Sequence, residues 1–155
     1  MQIKGIIDED FVNYRIPSMY IAFPKCSFKC GSALCQNSAL AKQPIIEIGP
    51  YSLMKRYMEN KITGAIVCAG LEPFDSFCDL KSLVATARAT THDPIIIYTG
   101  YTEEEIKEQI EWLSVFSNII VKFGRYVPNQ QPHYDEILGV NLASDNQYAR
   151  RISNG

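Results

Sequence analysis

Residues 64–98 read GAIVCAGLEPFDSFCDLKSLVATARATTHDPIIIY, and the predicted architecture follows from this segment. Its first part, residues 64–69 (GAIVCA), is a short and almost continuous apolar run, which is typical of a strand buried on both faces. Residues 77–88 then place apolar side chains at helical spacing, and residues 94–98 (PIIIY) form a second strand-like run. A buried strand, a helix and another buried strand in this order predict a parallel βαβ unit with a right-handed crossover.

The alternation of strands and helices extends towards the beginning of the chain. Ser18–Phe23 (SMYIAF) is a predicted strand that leads into a loop rich in cysteine. Residues 50–60 carry apolar side chains at helical spacing and begin with a proline, which suits a first helical turn. We expect residues 2–7 to add a strand or a hairpin beside these elements.

The alternation also continues after residue 98. Thr102 and Glu105 have the spacing of a capping box, which predicts the start of a helix. Residues 118–123 (NIIVKF) predict the next strand. Residues 124–134 are polar and contain proline, so they predict a loop or arm, and residues 136–141 predict one late strand.

The chain is predicted to be a single α/β domain over residues 1–155, with a less regular C-terminal arm from about residue 124. Hydrophobic residues make up 46% and charged residues 21% of its 155 residues, as expected for one soluble core. The net charge of −2 gives no basic field that would attract nucleic acid or an anionic membrane. We find no secretory signal and no apolar run long enough to span a bilayer, so we expect a cytoplasmic protein.

Three of the five cysteines, Cys26, Cys30 and Cys35, fall within ten residues after the first core strand. In a reducing compartment such a group indicates metal binding or catalysis more than disulfides. Three thiolates can bind three irons of a 4Fe–4S cluster and leave the fourth iron open for catalysis. Cys68 and Cys78 lie outside this loop and are not spaced as ligands.

Spacing alone leaves two other interpretations of the cysteine loop open. One is a zinc site completed by a distant histidine or cysteine, and the other is three unconnected thiols. The two histidines, His92 and His133, form no metal-binding pair with each other or with a cysteine. This pattern makes zinc less favoured without removing it.

Two later strand ends also carry unusual residues: residues 69–74 (AGLEPF) after the second core strand, and residues 99–101 (TGY) after the third. Because the carboxyl ends of parallel strands meet at one edge of a sheet, we expect both motifs to lie near the cysteine loop. The glycine and proline of the first motif suit a backbone that comes close to a ligand. The hydroxyls of Thr99 and Tyr101 add polar groups. An ordinary turn explains each motif equally well when it is taken by itself.

In combination, these motifs resemble those of radical S-adenosylmethionine enzymes, and within them the activating proteins of the anaerobic ribonucleoside-triphosphate reductase. The spacing here is C-x3-C-x4-C, two residues longer than the family's usual C-x3-C-x2-C. Residues 69–74 are similar to the family's glycine–glycine–glutamate–proline motif, with Leu71 in place of the second glycine. Residues 119–126 (IIVKFGRY) are similar to its V-D-G-K-F stretch, with Lys122 near the place of the acidic residue. Residues 143–147 (ASDNQ) are similar to its G-S-S-N-Q.

The resemblance implies a partial (βα) barrel of about five to six mostly parallel strands with helices on the outside. It implies that Cys26, Cys30 and Cys35 hold a 4Fe–4S cluster, and that S-adenosylmethionine binds at the second and third strand ends. The expected binding residues at those strand ends are Gly70, Leu71, Glu72, Pro73, Thr99 and Tyr101.

The resemblance also implies an activity. The cluster would generate a 5′-deoxyadenosyl radical from S-adenosylmethionine, and the radical would take a hydrogen atom from a glycine of a partner enzyme. Two partners are expected. One is a large glycyl radical enzyme subunit, that of the anaerobic ribonucleotide reductase, and the other is an electron donor such as flavodoxin. Two alternatives stay open: a radical enzyme acting on another peptide or a small molecule, and a non-catalytic zinc-binding interaction module.

Overall fold

A computed structural model describes residues 1–27 and 38–153 of the chain. The elements of the described residues are β1 (Gln2–Ile3), β2 (Gly5–Asp10), β3 (Ser18–Phe23), α1 (Ser38–Ala41), β4 (Ile46–Glu47), α2 (Pro50–Glu59), β5 (Ala65–Gly70), a 3-10 helix (Pro73–Ser76), α3 (Phe77–Thr90), β6 (Ile95–Tyr98), α4 (Lys107–Leu113), β7 (Ile119–Phe123), β8 (His133–Asp135), β9 (Val140–Leu142) and β10 (Tyr148–Ser153).

Six strands form the central sheet in the order β10-β7-β6-β5-β3-β2. The four inner strands β3, β5, β6 and β7 run parallel, and β2 and β10 close the two edges as antiparallel strands. All six residues of β5 are buried, as its continuous apolar run predicts. The α/β class and the four core strands are therefore confirmed. The partial barrel stays a prediction.

Helices cover one face of this sheet. Helix α2 buries Leu53 and Tyr57, and α3 buries Leu80 and Val84, in one apolar cluster with strand residues such as Ile97. These side chains recur every three or four residues, so each helix presents one apolar stripe to the sheet. None of the helices in the described part of the chain has the length and apolar character needed to cross a bilayer.

The opposite face of the sheet is covered by non-helical segments. Tyr14 packs there from the connection between β2 and β3, and Leu138 and Leu142 pack there from the C-terminal arm, against Val67 and Ile120. Leu138 is fully buried, and burying one leucine side chain stabilises a fold by about 1.5–3 kcal/mol. The arm therefore belongs to the core.

The prediction of one late strand over residues 136–141 is wrong. Strands β8 and β9 pair as a hairpin, and residues 136–139 form the turn between them. The Asp135 carboxylate accepts hydrogen bonds from the backbone N–H groups of Ile137 (3.0 Å) and Leu138 (2.9 Å). Gly139 completes the turn at a positive φ of 74°, so Ile137 and Leu138 are apolar residues of a turn.

The helix predicted from the capping box begins later than expected. The box itself forms, because the Thr102 N–H donates to Glu105 (2.9 Å) and the Glu105 N–H donates to the Thr102 hydroxyl (3.3 Å). The following residues are a turn, and α4 begins at Lys107. The N-terminal expectation is confirmed, with β2 lying antiparallel to β3.

Candidate iron–sulfur site

The carboxyl end of β3 leads directly into the cysteine loop. Cys26 lies three residues after this strand and is exposed. Cys30 and Cys35 lie outside the described residues. In the part of the chain that is described, no three His, Cys, Asp or Glu side chains are grouped as a metal site. Of the three predicted ligands, the structure thus places Cys26.

Gly70 brings the end of β5 against the end of β3. Its φ is +88°, and a Cβ on this residue would lie 2.6 Å from the backbone nitrogen of Phe23 and 2.7 Å from the Cα of Ala22. Only glycine tolerates both the dihedral angle and this close approach. The predicted need for glycine at this position therefore has a steric reason, namely contact with the backbone that precedes the cysteine loop.

The turn after Gly70 is hydrogen-bonded to the same segment. The N–H of Leu71 donates to the carbonyl of Phe23 (3.2 Å), and the N–H of Glu72 donates to the carbonyl of Lys25 (2.8 Å). Two consecutive peptide groups thus continue the pairing of β5 with β3 beyond the regular strands. The second of these bonds fixes the peptide immediately before Cys26.

The side chain of Glu72 joins the second strand end to the third. It is fully buried and accepts hydrogen bonds from the Thr99 hydroxyl (2.9 Å), the Gly100 N–H (2.8 Å) and the Phe74 N–H (3.1 Å). Burial disfavours the charged carboxylate and raises the pKa of Glu72 to about 7, against these three donors. Glu72 therefore joins the second and third strand ends from within the protein, and its predicted role in cofactor binding stays a prediction.

This buried carboxyl group predicts a pH effect on stability. The folded pKa of Glu72 is about 7 and its ordinary value is 4.5. The contribution of Glu72 to the free energy of unfolding is therefore fully present below pH 4.5 and declines as the pH rises to about 7. The decline is at most about 1.4 kcal/mol per pH unit. Urea unfolding at several pH values should show this slope in the wild-type protein and not in Glu72→Gln, which is uncharged throughout. Parallel pH curves for the two proteins would contradict the prediction.

Thr99 and Tyr101 both belong to the network around Glu72. Thr99 is buried; its hydroxyl donates to Glu72 and accepts from the N–H of Tyr101 (3.0 Å). The Tyr101 phenol donates to Asp75 (2.5 Å) and lies 3.1 Å from the hydroxyl of Ser27. The three strand ends expected to converge are therefore in direct contact, and this prediction is confirmed.

Two further residues, Asp75 and Ser27, join this network although no sequence motif singles them out. The Asp75 carboxylate accepts the backbone N–H of Ser27 at 2.6 Å, across 48 positions of sequence. The hydrogen bond to Asp75 is the main reason that the pKa of Tyr101 is raised, so the phenol stays protonated. An acidic residue two positions after the proline of AGLEPF was the only signal for this contact.

Lys122 is a buried cation at the end of β7. Its Nζ donates to the carbonyl of Gly124 (2.9 Å) and lies 5.6 Å from the centre of the Tyr98 ring. Burial lowers the pKa of Lys122 to about 8, and the charge of Glu72 opposes that shift. A lysine in the middle of an otherwise apolar strand sequence signalled this position.

An open cavity of about 430 Å³ lies beside the third and fourth strand ends. Gly100, Phe123, Gly124 and Tyr148 contribute to its largely apolar lining. The segment ASDNQ supports one wall, because Gln147 donates to the carbonyl of Gly124 (3.3 Å) and its neighbour Asn146 donates to that of Arg125 (2.7 Å). The similarity noted for this segment therefore falls on residues that hold the cavity's backbone.

The residues present fit an iron–sulfur cluster through the chemistry of the donor set. The exposed Cys26 thiol is a soft ligand of the kind that iron–sulfur clusters use. The zinc interpretation required a distant ligand. Among the residues described, His92 contacts Ser117 beyond α3, and His133 lies in β8, outside the hydrogen-bonded network at the strand ends.

Comparison with known families supports the same conclusion. The family described as 4Fe-4S single cluster domain matches residues 17–147, a segment that includes all three cysteines of the loop and both later strand ends. Searches among curated proteins and among solved structures give no match. Because the family match covers most of the 155 residues, the chain belongs to the 4Fe-4S single cluster domain family.

Proposed function

We propose that this iron–sulfur protein is a radical S-adenosylmethionine enzyme that activates a glycyl radical enzyme. The observation that carries the proposal is the convergence of three strand ends on one network of hydrogen bonds beside Cys26. Strand ends that converge at one edge of a parallel sheet are where ligands of α/β proteins bind. The sequence motifs at these ends are the ones that resemble the radical enzymes.

In this proposal Cys26, Cys30 and Cys35 would hold the cluster, which would supply a binding position for S-adenosylmethionine. The turn from Gly70 to Pro73 lies beside the methionine end. Its orientation is fixed because Glu72 is bonded on one side to Lys25 and on the other to Gly100. These hydrogen bonds join protein groups to one another, so they can position the turn before a ligand binds.

The cavity next to Gly100 is the proposed place for the adenosine part. Its volume of about 430 Å³ lies in the range of about 300–1,000 Å³ that is usual for small-molecule pockets. The exposed Tyr148 ring, whose centre lies 5.4 Å from that of the buried Phe123 ring, offers apolar surface to a purine. The N–H of Gly100 is bonded to the Glu72 side chain. Glu72 therefore supports both this cavity and the turn from Gly70 to Pro73, which is the proposed place for the methionine part.

The proposed reaction uses one electron from a carrier such as flavodoxin. That electron, delivered through the bound cluster, breaks the bond between sulfur and C5′ and yields methionine and a 5′-deoxyadenosyl radical. The radical takes a hydrogen atom from the Cα of a glycine in the large partner subunit. The products are 5′-deoxyadenosine and a glycyl radical, which we assign to an anaerobic ribonucleotide reductase.

The proposal is tested with anaerobically reconstituted protein, S-adenosylmethionine and dithionite. We expect 5′-deoxyadenosine and methionine in equal amounts, measured by chromatography, and their absence when dithionite is left out. Absence of both products while the cluster's visible absorption is intact would contradict the radical activity. Stoichiometric zinc in place of iron would favour the alternative of a non-catalytic zinc module.

A second measurement identifies the hydrogen donor. With a glycyl radical subunit added, we expect the doublet of a glycyl radical in the electron paramagnetic resonance spectrum. The amount of S-adenosylmethionine consumed should be proportional to the amount of radical formed. The cysteine spacing and the cation of Lys122 near the place of the family's acidic residue favour a different specificity as the second candidate. Formation of 5′-deoxyadenosine without a glycyl radical would support that alternative, a radical enzyme acting on another peptide or a small molecule.

A further inference from the structure

Asp75 connects the 3-10 helix after β5 to the cysteine loop. One carboxylate oxygen accepts the backbone N–H of Ser27 at 2.6 Å, and the other accepts the phenol of Tyr101 at 2.5 Å. The Ser27 hydroxyl lies 3.1 Å from the same phenol oxygen. Residues from three strand ends thus form a closed triangle of hydrogen bonds around one carboxylate.

The position of Asp75 is itself rigidly determined. Its own N–H donates to the carbonyl of Glu72 (3.1 Å), and the Glu72 side chain caps the same turn at the N–H of Phe74 (3.1 Å). Tyr101 is fixed in turn, because its N–H donates to the buried hydroxyl of Thr99 (3.0 Å). The two residues that bind Ser27, Asp75 and Tyr101, are therefore both hydrogen-bonded to members of the buried Glu72 network.

The consequence for Cys26 follows from the peptide geometry. The peptide before Cys26 is fixed by the bond from the Glu72 N–H to the Lys25 carbonyl (2.8 Å). The peptide after Cys26 is fixed by the bond from the Ser27 N–H to Asp75. With both flanking peptides held, the φ and ψ angles of Cys26 are set, and only the side-chain torsion is left to orient its sulfur.

We propose that Asp75 is a positioning residue for the cluster: its carboxylate holds the peptide after Cys26 and thereby orients the Cys26 thiolate as a cluster ligand. The inference rests on the proposed function only through the 4Fe–4S cluster, and it holds for any reaction the cluster performs. The carboxylate also places a negative charge beside that cluster, and net charge near a cluster tunes its reduction potential. A nearby anion opposes addition of an electron, so Asp75 also keeps the potential low.

Two substitutions separate the role of Asp75 in holding the peptide after Cys26 from its effect on the reduction potential of the cluster. Asp75→Ala removes both acceptors, whereas Asp75→Asn keeps one acceptor and removes the charge. Asp8→Asn is the matched control, since Asp8 pairs with Arg56 in an exposed ion pair on β2. All variants are reconstituted anaerobically, and the rate of iron release to a chelator and the midpoint potential of the cluster are measured without S-adenosylmethionine.

We expect iron release from Asp75→Ala to be about ten-fold faster or more, the usual effect of removing a group that orients a metal ligand. We expect Asp75→Asn to retain more iron than Asp75→Ala and to have a more positive midpoint potential than the wild-type protein. Asp8→Asn should match the wild-type protein in both measurements. Equal release rates and equal potentials in all four proteins would overturn the inference.

These measurements do not depend on the radical reaction. If the wild-type protein forms no 5′-deoxyadenosine while its cluster is intact, the proposed activity is wrong. The role of Asp75 is then still tested by the rate of iron release and the midpoint potential of the cluster. Tyr101→Phe provides a further check. This substitution keeps the hydrogen bond from the Ser27 N–H to Asp75 and removes the phenol that contacts the Ser27 hydroxyl. Its rate of iron release should therefore lie between those of the wild-type protein and Asp75→Ala.

Discussion

Cys26→Ala is expected to lose the 4Fe–4S cluster. Cys26 is the loop cysteine that lies within the described residues, and the peptides on both sides of it are hydrogen-bonded, through Lys25 and Ser27. Its removal leaves two thiolates, and a cluster of this type is normally held by at least three. Iron and sulfide after anaerobic reconstitution should fall to the background level, and the visible absorption of the cluster should disappear.

The control for this prediction is Cys78→Ala. Cys78 is also exposed, but it lies on α3, outside the cysteine loop. We expect it to bind iron and sulfide like the wild-type protein. Because Cys26 is a surface residue, the apoprotein of Cys26→Ala should unfold within about 0.5 kcal/mol of the wild-type apoprotein. A full cluster in Cys26→Ala would show that the ligand assignment is wrong.

Gly70→Ala is expected to destabilise the protein strongly, far more than the same methyl addition at Gly5. The new Cβ would lie 2.6–2.9 Å from backbone atoms of Ala22 and Phe23, at a φ of +88°. Neither contact can be relieved by a side-chain rotation, so β3 and β5 would have to separate. Strain of this kind and overpacking each cost about 1–3 kcal/mol, so the free energy of unfolding should fall by about 2–6 kcal/mol in urea titrations.

Gly5→Ala is the matched control for this substitution. Gly5 lies in β2, on the other side of β3, and a Cβ there would meet no atom within 4 Å. Its stability should stay within about 1 kcal/mol of the wild-type value. Gly70→Ala should also lose iron faster, because the displaced backbone of Phe23 leads directly to Cys26. Equal stability of the two variants would contradict the steric argument.

The core strands were predictable because their signal is local. Continuous apolar runs such as residues 64–69 have few alternatives to a buried parallel strand, and β5 is buried along its whole length. The convergence of the strand ends was predictable for a related reason, since parallel strands place their carboxyl ends at one edge. What the structure adds is the chemical link, in which Glu72 bonds to Thr99 and Gly100.

The edge strand β10 was not predicted, because its signal is weak and its partner is distant. Its sequence YARRIS has no regular alternation of apolar and polar residues, and of its first four residues only Ala149 is buried. The strand exists because it pairs with β7, and Arg150 in it also binds Glu103 at 2.9 Å. A polar strand of this kind depends on a non-local pairing that no short window of sequence contains.

The role of Asp75 was missed for the same physical reason. Within the sequence it is one acidic residue at the start of a helix, where an acidic group suits the helix dipole. Its contacts with Ser27 and Tyr101 lie 48 and 26 positions away. Only the folded sheet brings these residues together, so the motifs predict that the strand ends converge but not that Asp75 links them.

The buried network of Glu72, Thr99 and Gly100 has a consequence for the life of this protein in air. Oxygen destroys exposed iron–sulfur clusters, yet every bond in this network joins one protein group to another. The strand ends should therefore keep their arrangement when the inorganic part is lost. Provided that the cysteine thiols are still reduced, rebuilding the cluster would then need new iron, sulfide and electrons but no refolding of these strand ends.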